Sequence, residues 1–212
     1  DNTPLGEEEI LEIPDPFESY NRFMFEFNDK LYFYFLRPIS RSYKKIFPEC
    51  LRIRIGNFYS NIKMPVRFFN CLFQIKGKDA TREIERFTIN STIGFGGFFD
   101  IARSYFKLEP SDEDFDQTFG SYGIGPGFYF VMPFFGPSSM RGSVGLLFDY
   151  ALNPFNYILI DPVILTSLEL HEKINFTSLH LGEYESFKKE ALEPYTALRD
   201  AYFQNIQAKI KK

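Results

Sequence analysis

Residues 117 to 140 read QTFGSYGIGPGFYFVMPFFGPSSM, 24 consecutive positions without a charged side chain. The run is long enough to cross a bilayer as a helix, yet its composition forbids one. Gly120, Gly123, Gly125, Gly127 and Gly136, with Pro126, Pro133 and Pro137, break any helical ladder. Backbone groups freed in that way persist in lipid only where the protein itself satisfies them. The stretch therefore reads as an irregular, aromatic hairpin held at an apolar boundary, and function is expected there.

The rest of the chain suits a boundary protein. Aromatic residues make up 19% against a hydrophobic total of 44%, with 27 Phe, 13 Tyr and no Trp, more phenylalanine than a core of this size requires. A chain of 212 residues fits one domain with a real core. We read a polar, acidic leader over 1–14, a single helical domain over 15–206 and a basic tail over 207–212. No uninterrupted apolar stretch of about 20 helix-compatible residues occurs, and these residues contain no signal peptide. A chain of this kind that meets a membrane lies in it without a conventional spanning helix, or is tethered by something upstream of Asp1.

Around the hairpin the pattern is helical. Asp15-Pro16-Phe17-Glu18 is a start signal, with Asp15 as cap, Pro16 at the first position and Glu18 at capping-box spacing. The helix that follows, to about Arg37, carries apolar side chains around most of its circumference, so it is buried or lipid-facing; Pro38 then interrupts it. Residues 51–63, 64–76 and 79–91 read as three amphipathic helices with basic polar faces. Gly94, Gly96 and Gly97 end that run, a short aromatic helix covers 98–106, and 109–116 is an acidic loop. Ser138 or Ser139 caps a helix through about Leu152. Residues 166–212 form a long charged helical region, broken near Pro194 and expected to be the most water-exposed part.

Charge is unevenly spread. Residues 41–86 hold eleven basic and four acidic residues, so this segment is +7 while the whole chain is −4. Basic residues interleaved with Phe58, Tyr59, Phe68, Phe69 and Phe73 suit an anionic headgroup surface, single-stranded nucleic acid, or a solvated helix face with core aromatics behind it. The Phe spacing is helical, which points to core or lipid contact rather than base stacking, so no nucleic acid partner is expected. Cys50 and Cys71 allow a disulfide in an oxidising compartment or two thiols anywhere.

The chemistry of an enzyme is not assembled. His171 and His180 both fall in the late, exposed helical region, and Gly136-Pro137-Ser138-Ser139-Met140 lacks the closing glycine of a nucleophile elbow. Asp112, Asp114 and Asp116 start like a calcium loop, but Gln117 replaces its glycine and Gly123 falls where its bidentate Glu belongs. Gly123-x-Gly125-x-Gly127 lacks the strand-turn-helix context of a dinucleotide site. No catalytic residue, metal or cofactor is assigned; a lipid hydrolase and a plain structural protein stand as alternative classes.

From Asp15 to about Gln204, five ordered blocks resemble the MlaA (VacJ) outer-membrane lipoproteins. They are Asp15-Pro16-Phe17-Glu18 with Asn21-Arg22-Phe23-Met24-Phe25-Glu26-Phe27-Asn28; Arg86-Phe87 through Phe99-Asp100; Glu113-Asp114-Phe115 with Gln117-Thr118; the hairpin from Tyr122 to Arg141; and Arg199-Asp200-Ala201-Tyr202-Phe203. Asp116, Met132, Gly142 and Pro126-Gly127 depart from the usual pattern near the hairpin.

The resemblance implies an all-α, ring-like monotopic protein in the inner leaflet of a Gram-negative outer membrane, with a central amphipathic channel and the irregular glycine and aromatic hairpin. It implies a lipid anchor on a cysteine that lies upstream or was removed, trimeric porins (OmpC/OmpF-like) as neighbours, and phospholipid passing from the outer leaflet to a soluble, MlaC-like periplasmic carrier. Within that scheme Gly123, Gly125 and Gly127 are candidate flexible points of a gating hairpin. Asn21, Phe25, Phe27 and Asn28 are candidates for holding the channel closed, the Asn side chains otherwise bridging backbone. Arg86, Asn90 and Arg141 are candidates for lining a polar path, or for bridging to Asp100 or Asp149.

Overall fold

A computed structural model describes residues 14–158 and 161–211; of the leader only Pro14 is among them. Helix predominates, at 71% of residues, with two short strands. The chain opens with α1 (Glu18–Leu31), which runs through a π turn (Tyr32–Leu36) into α2 (Arg37–Ile46). Pro38 thus does not interrupt the helix as its sequence suggests. A proline lacks the N–H that the ladder needs, and the wider π turn, closed by Arg37 N–H donating to Tyr32 O, absorbs the lost bond.

Helices α3 (Glu49–Ile62), α4 (Met64–Phe73) and α5 (Gly77–Thr92) follow within a few residues of their expected limits. The glycine turn after α5 packs against α3. Gly97 has φ +96°, and a Cβ there would sit 2.5 Å from Asn61 Cβ, so glycine is required twice over. The aromatic helix shrinks to α6 (Ile101–Ser104), capped by Asp100, whose side chain accepts from Arg103 N–H.

The uncharged run is less uniform than its composition suggests. Its first five residues belong to α7 (Phe115–Ser121), capped by Asp114 through Gln117 N–H. Residues 122–128 form a loop, and only then come β1 (Tyr129–Met132) and β2 (Gly136–Ser139), antiparallel with Tyr129 opposite Ser139. Ser139 caps α8 (Met140–Leu152) by accepting from Gly142 N–H. A short α9 (Phe155–Ile158), then α10 (Pro162–Leu179), α11 (Glu183–Glu190) and α12 (Pro194–Ile210), complete the described chain. Helix α12 runs through the stretch read as a tail, and Lys209 on it pairs with Asp112 at 2.5 Å.

Neighbouring elements close a circuit: α1, the π turn, α2, α10, α3, α4, α7, α8, β2, β1 and back to α1, each in contact with the next. The core cluster lies on one side of that circuit, where Tyr129 and Val131 of β1 meet Tyr195 and Phe203 of α12. The late region is therefore not simply the water-exposed part; two of its aromatics fill the core, and several of its charges are held in ion pairs with other elements.

Polarity is partitioned unlike that of a soluble protein. Among the described residues, nineteen polar or charged residues are buried against ten hydrophobic ones, and 37 large hydrophobics are exposed, including Phe23, Tyr34, Phe35, Ile46, Phe95, Leu147 and Val163. No helix among the described residues is long and apolar enough to cross a membrane. An apolar exterior around polar contacts, without a spanning helix, suits a protein lying in one leaflet.

Candidate functional site: the clamped hairpin and its apolar cavity

Helix α1 and strand β1 run side by side, and arithmetic explains how two asparagines on one can serve the other. Asn21 and Asn28 are seven residues apart, which is nearly two turns and about 10.5 Å along a helix. Three residues along a strand, from Tyr129 to Met132, span about 10 Å. Each side-chain amide presents an N–H and a carbonyl, as a neighbouring strand would.

Asn21 Nδ2 donates to Tyr129 O at 3.1 Å while Val131 N–H donates to Asn21 Oδ1 at 2.9 Å. Asn28 Nδ2 donates to Met132 O at 2.9 Å while Phe134 N–H donates to Asn28 Oδ1 at 2.8 Å. Tyr129 N–H is taken by Pro14 O at 3.2 Å. The edge of β1 that faces away from β2 is thus occupied by two side-chain amides and the Pro14 carbonyl rather than left open.

Around this ladder the aromatics interlock: Phe17 with Phe128, Tyr20 stacked on Phe130, and Phe27 edge-on to Phe134, at ring separations of 5.1, 5.2 and 5.6 Å. Phe25 points the other way, to Tyr195 of the core. Asp15 does not cap α1 as its position suggests. Its carboxylate accepts from Asn21 Nδ2 at 2.7 Å and from the Tyr195 hydroxyl, with Arg199 at 3.8 Å, so it ties the segment before α1 to α12. Burial and that carboxylate push the Tyr195 hydroxyl well above the usual phenol range.

Between the clamped hairpin, α1 with its π turn, and α10, α11 and α12 lies a cavity of about 280 Å³, walled mainly by apolar side chains. Phe25, Asn28, Val131 and Phe134 belong to its wall, as does Lys173 from α10. Lys173 donates to Phe134 O and lies 5.9 Å from the Phe135 ring. On the far rim, Tyr184 donates to Asp29 at 3.0 Å, and burial raises its hydroxyl pKa.

A second cavity, about 270 Å³, lies beside the 122–128 loop and contains Ile124, Gly125, Pro126, Gly127 and Arg141 in its wall. Gly123 and Gly127 have φ of +80° and +71°, and Gly125 has open space around its Cα. Arg141 anchors this loop. It pairs with Asp116 at 2.5 Å and donates to Ile124 O at 2.6 Å, so its carboxylate partner is Asp116 rather than Asp149.

Arg86 and Asn90 stand apart from both cavities, in the glycine turn. Arg86 pairs with Asp100 at 2.9 Å and donates to Leu108 O. Asn90 donates to Asp100 at 2.9 Å and accepts from Ala102 N–H at 2.9 Å. Burial opposes the Asp100 charge, but these hydrogen bonds outweigh it and hold the carboxyl below its ordinary range. Both residues bridge the turn, and the apolar cavities lie elsewhere.

His171 is not an exposed helix residue either. Its two ring nitrogens meet the hydroxyls of Tyr43 and Tyr59 at 3.1 and 2.8 Å. Cys50 is exposed and Cys71 buried, both as free thiols.

Sequence reasoning missed Lys173, Tyr184 and Asp15 as parts of the site. Only Asp15 carried a local signal, and it read as a cap. Lys173 and Tyr184 join the site through contacts across more than a hundred positions with α1 or some forty with the hairpin, which no short-range pattern records.

Comparison with known proteins identifies the family and the fold. Residues 13–209 match the family described as MlaA lipoprotein. An uncharacterised protein of Rickettsia bellii (strain RML369-C) is 34% identical over 203 residues, 94% of this chain and 78% of that protein. The intermembrane phospholipid transport system lipoprotein MlaA of Haemophilus influenzae (strain ATCC 51907 / DSM 11121 / KW20 / Rd) is 30% identical over 205 residues, 95% and 81% of the two chains. A solved structure, described as the structural basis for maintenance of bacterial outer membrane lipid asymmetry, superposes with a TM-score of 0.81 at 28% identity, covering 93% of this chain and 99% of that one. The chain belongs to the MlaA lipoprotein family.

Proposed function

We propose that this protein withdraws mislocalised phospholipid from the outer leaflet of a Gram-negative outer membrane and passes it to a soluble periplasmic carrier, maintaining lipid asymmetry. The observation that carries this reading is the apolar cavity bounded by α1, the hairpin and α10–α12, set in a fold whose exterior is apolar and whose polar residues are turned inward. Acyl chains are accommodated by the one and surround the other. The relatives named for intermembrane phospholipid transport support the substrate class.

In this reading the protein sits on the periplasmic side, held by a lipid anchor and flanked by a trimeric porin. The hairpin is the closure of the path, kept shut by Asn21 and Asn28 on β1, with Phe27 and Phe25 on its two sides. The loop at Gly123, Gly125 and Gly127, anchored by Arg141, supplies the moving part. Arg86 and Asn90 brace the glycine turn that sets α5 against α3.

The test is the amount of phospholipid exposed at the cell surface, reported by an enzyme that acts only there, in cells with and without the protein. Accumulation on deletion, reversed by the intact chain, supports removal from the outer leaflet. An unchanged surface in the deletion refutes it.

A further inference from the structure

The cations around the apolar cavity differ in how they are held. Arg37 lies 2.7 Å from Glu185 and Lys188 2.7 Å from Asp29, and both are neutralised there. Lys173, in the wall itself, has no carboxylate partner among the described residues; Glu172, the residue before it, pairs with Lys63 instead. An ammonium has three donors. One goes to Phe134 O, at the hairpin tip, and the Phe135 ring lies beside it.

Lys173 as a whole remains exposed, while burial of its ammonium lowers its pKa from the ordinary lysine value. A carbonyl and a ring face are weak partners for a full charge, and an anionic oxygen is a stronger one. The adjoining wall, from Phe25, Leu31, Val131, Phe135, Pro137 and Leu198, is hydrocarbon. At about 280 Å³ the cavity is slightly below the size of an ordinary ligand pocket, about 300–1,000 Å³. It therefore accepts part of an acyl chain rather than a whole lipid.

We propose that Lys173 is a recognition residue for the phosphate of a lipid whose acyl chain enters this cavity, and that the phosphate takes its ammonium from the Phe134 carbonyl as it arrives. The inference rests on the transport reading above and adds the residue that distinguishes a phosphate-bearing lipid from a neutral one. It also links arrival of the headgroup to loss of one of the hairpin's tethers, since Phe134 is held at its N–H by Asn28 and at its carbonyl by Lys173.

The experiment measures binding of a short-chain phosphatidylglycerol, the diacylglycerol of equal acyl length, and inorganic phosphate to the purified protein in a neutral maltoside detergent. Wild type, Lys173→Gln and Lys173→Arg are compared. Gln removes the charge but keeps an N–H donor, and matching thermal unfolding of the three proteins checks the fold. The expected result is phosphatidylglycerol binding about tenfold weaker in Lys173→Gln, the loss of one charge-assisted hydrogen bond, restored in Lys173→Arg, with diacylglycerol binding equal in all three.

Phosphatidylglycerol binding that Lys173→Gln matches refutes the inference alone. Inorganic phosphate that binds at Lys173 as tightly as the lipid refutes the lipid assignment and leaves a free-anion site. Wild-type protein that takes up no phospholipid refutes the transport reading together with this one.

Discussion

Replacing Asn21 with Ala should open the edge of β1 locally, and the size of the effect follows from what the amide leaves behind. Asn21 is fully buried, as are Tyr129 and, nearly, Val131. The substitution strands Tyr129 O and Val131 N–H without partners, and Asp15 loses one donor. A buried backbone group without a partner costs about 1–3 kcal/mol, so two cost about 3 kcal/mol once partial hydration is allowed. Opening at this edge then becomes about 150-fold more frequent. Amide hydrogen exchange in detergent reads this directly at Val131. Asn28→Ala is the internal comparison, since Met132 is half-buried and Phe134 exposed. Water replaces much of what that variant loses, and Phe134 N–H exchange should rise only about fivefold, roughly 1 kcal/mol. The reasoning fails if Val131 exchange in Asn21→Ala stays within a few-fold of wild type. It fails equally if exchange rises alike across α3, α5 and β1, because Asn21 would then support the fold as a whole rather than the hairpin edge.

Gly125→Pro should stiffen the 122–128 loop, where open space surrounds Gly125, and abolish transport while the unfolding temperature stays within a few degrees of wild type; normal surface phospholipid in cells carrying it would remove the gating role. Asp149 has its carboxyl pushed up to about 6 from 3.8 by burial, against hydrogen bonds from Phe115 N–H and Asn70. Its folded state holds the proton more tightly, so that contribution is complete below about pH 4 and is lost as pH rises through about 6; Asp149→Asn should gain roughly 2–3 kcal/mol relative to wild type across that window, and parallel denaturation curves of the two proteins at pH 4 and 7 would contradict it. A thiol reagent should label Cys50 quickly and Cys71 only on unfolding, because Cys71 is buried beside Ser111 and its thiol pKa is raised by burial; two fast thiols, or none, would contradict the fold at α4.

What could be read from the chain alone were features set by local chemistry. Ser139 as a cap, the breaks near Lys63 and Gly77, and the turn at Gly96 and Gly97 each depend on a residue and its near neighbours. The hairpin itself was legible because glycine and proline exclude a helix there, but its uncharged flank was not. Phe115–Ser121 is helical because Asp114 caps it and α8 packs on it, and neither signal lies within the uncharged run. Pro38 misleads for the opposite reason: the local rule is correct, and a π turn five residues long satisfies it without ending the helix. The asparagines needed partners, as their aromatic setting implied, but which partners depended on α1 lying parallel to a strand more than a hundred positions away.

The partition of residues also determines which solvent the fold requires. Buried polar side chains such as Arg52, Glu83, Asn70 and Asn175 are met by specific donors and acceptors: Arg52 donates to Ser178 O at 2.7 Å, Glu83 pairs with Arg67 at 2.8 Å and accepts from Ser111 N–H, Asn70 donates to Asp149, and Asn175 donates to Arg52 O. Such networks fix helices relative to one another, but each bond contributes only about 0.5–1.5 kcal/mol net, because the unfolded chain is hydrogen-bonded to water. In water they would face an exterior with, among the described residues, 37 exposed large hydrophobics, which favours association of chains over an isolated fold. Acyl chains reverse both terms. They solvate the apolar exterior at no loss, and they offer an opened network no replacement hydrogen bonds, so each internal bond is held more firmly than in water. On the gating proposed above, a hairpin clamped by amides at such a boundary stays closed against hydrocarbon and opens to groups that bring their own polar atoms to the edge of the cavity.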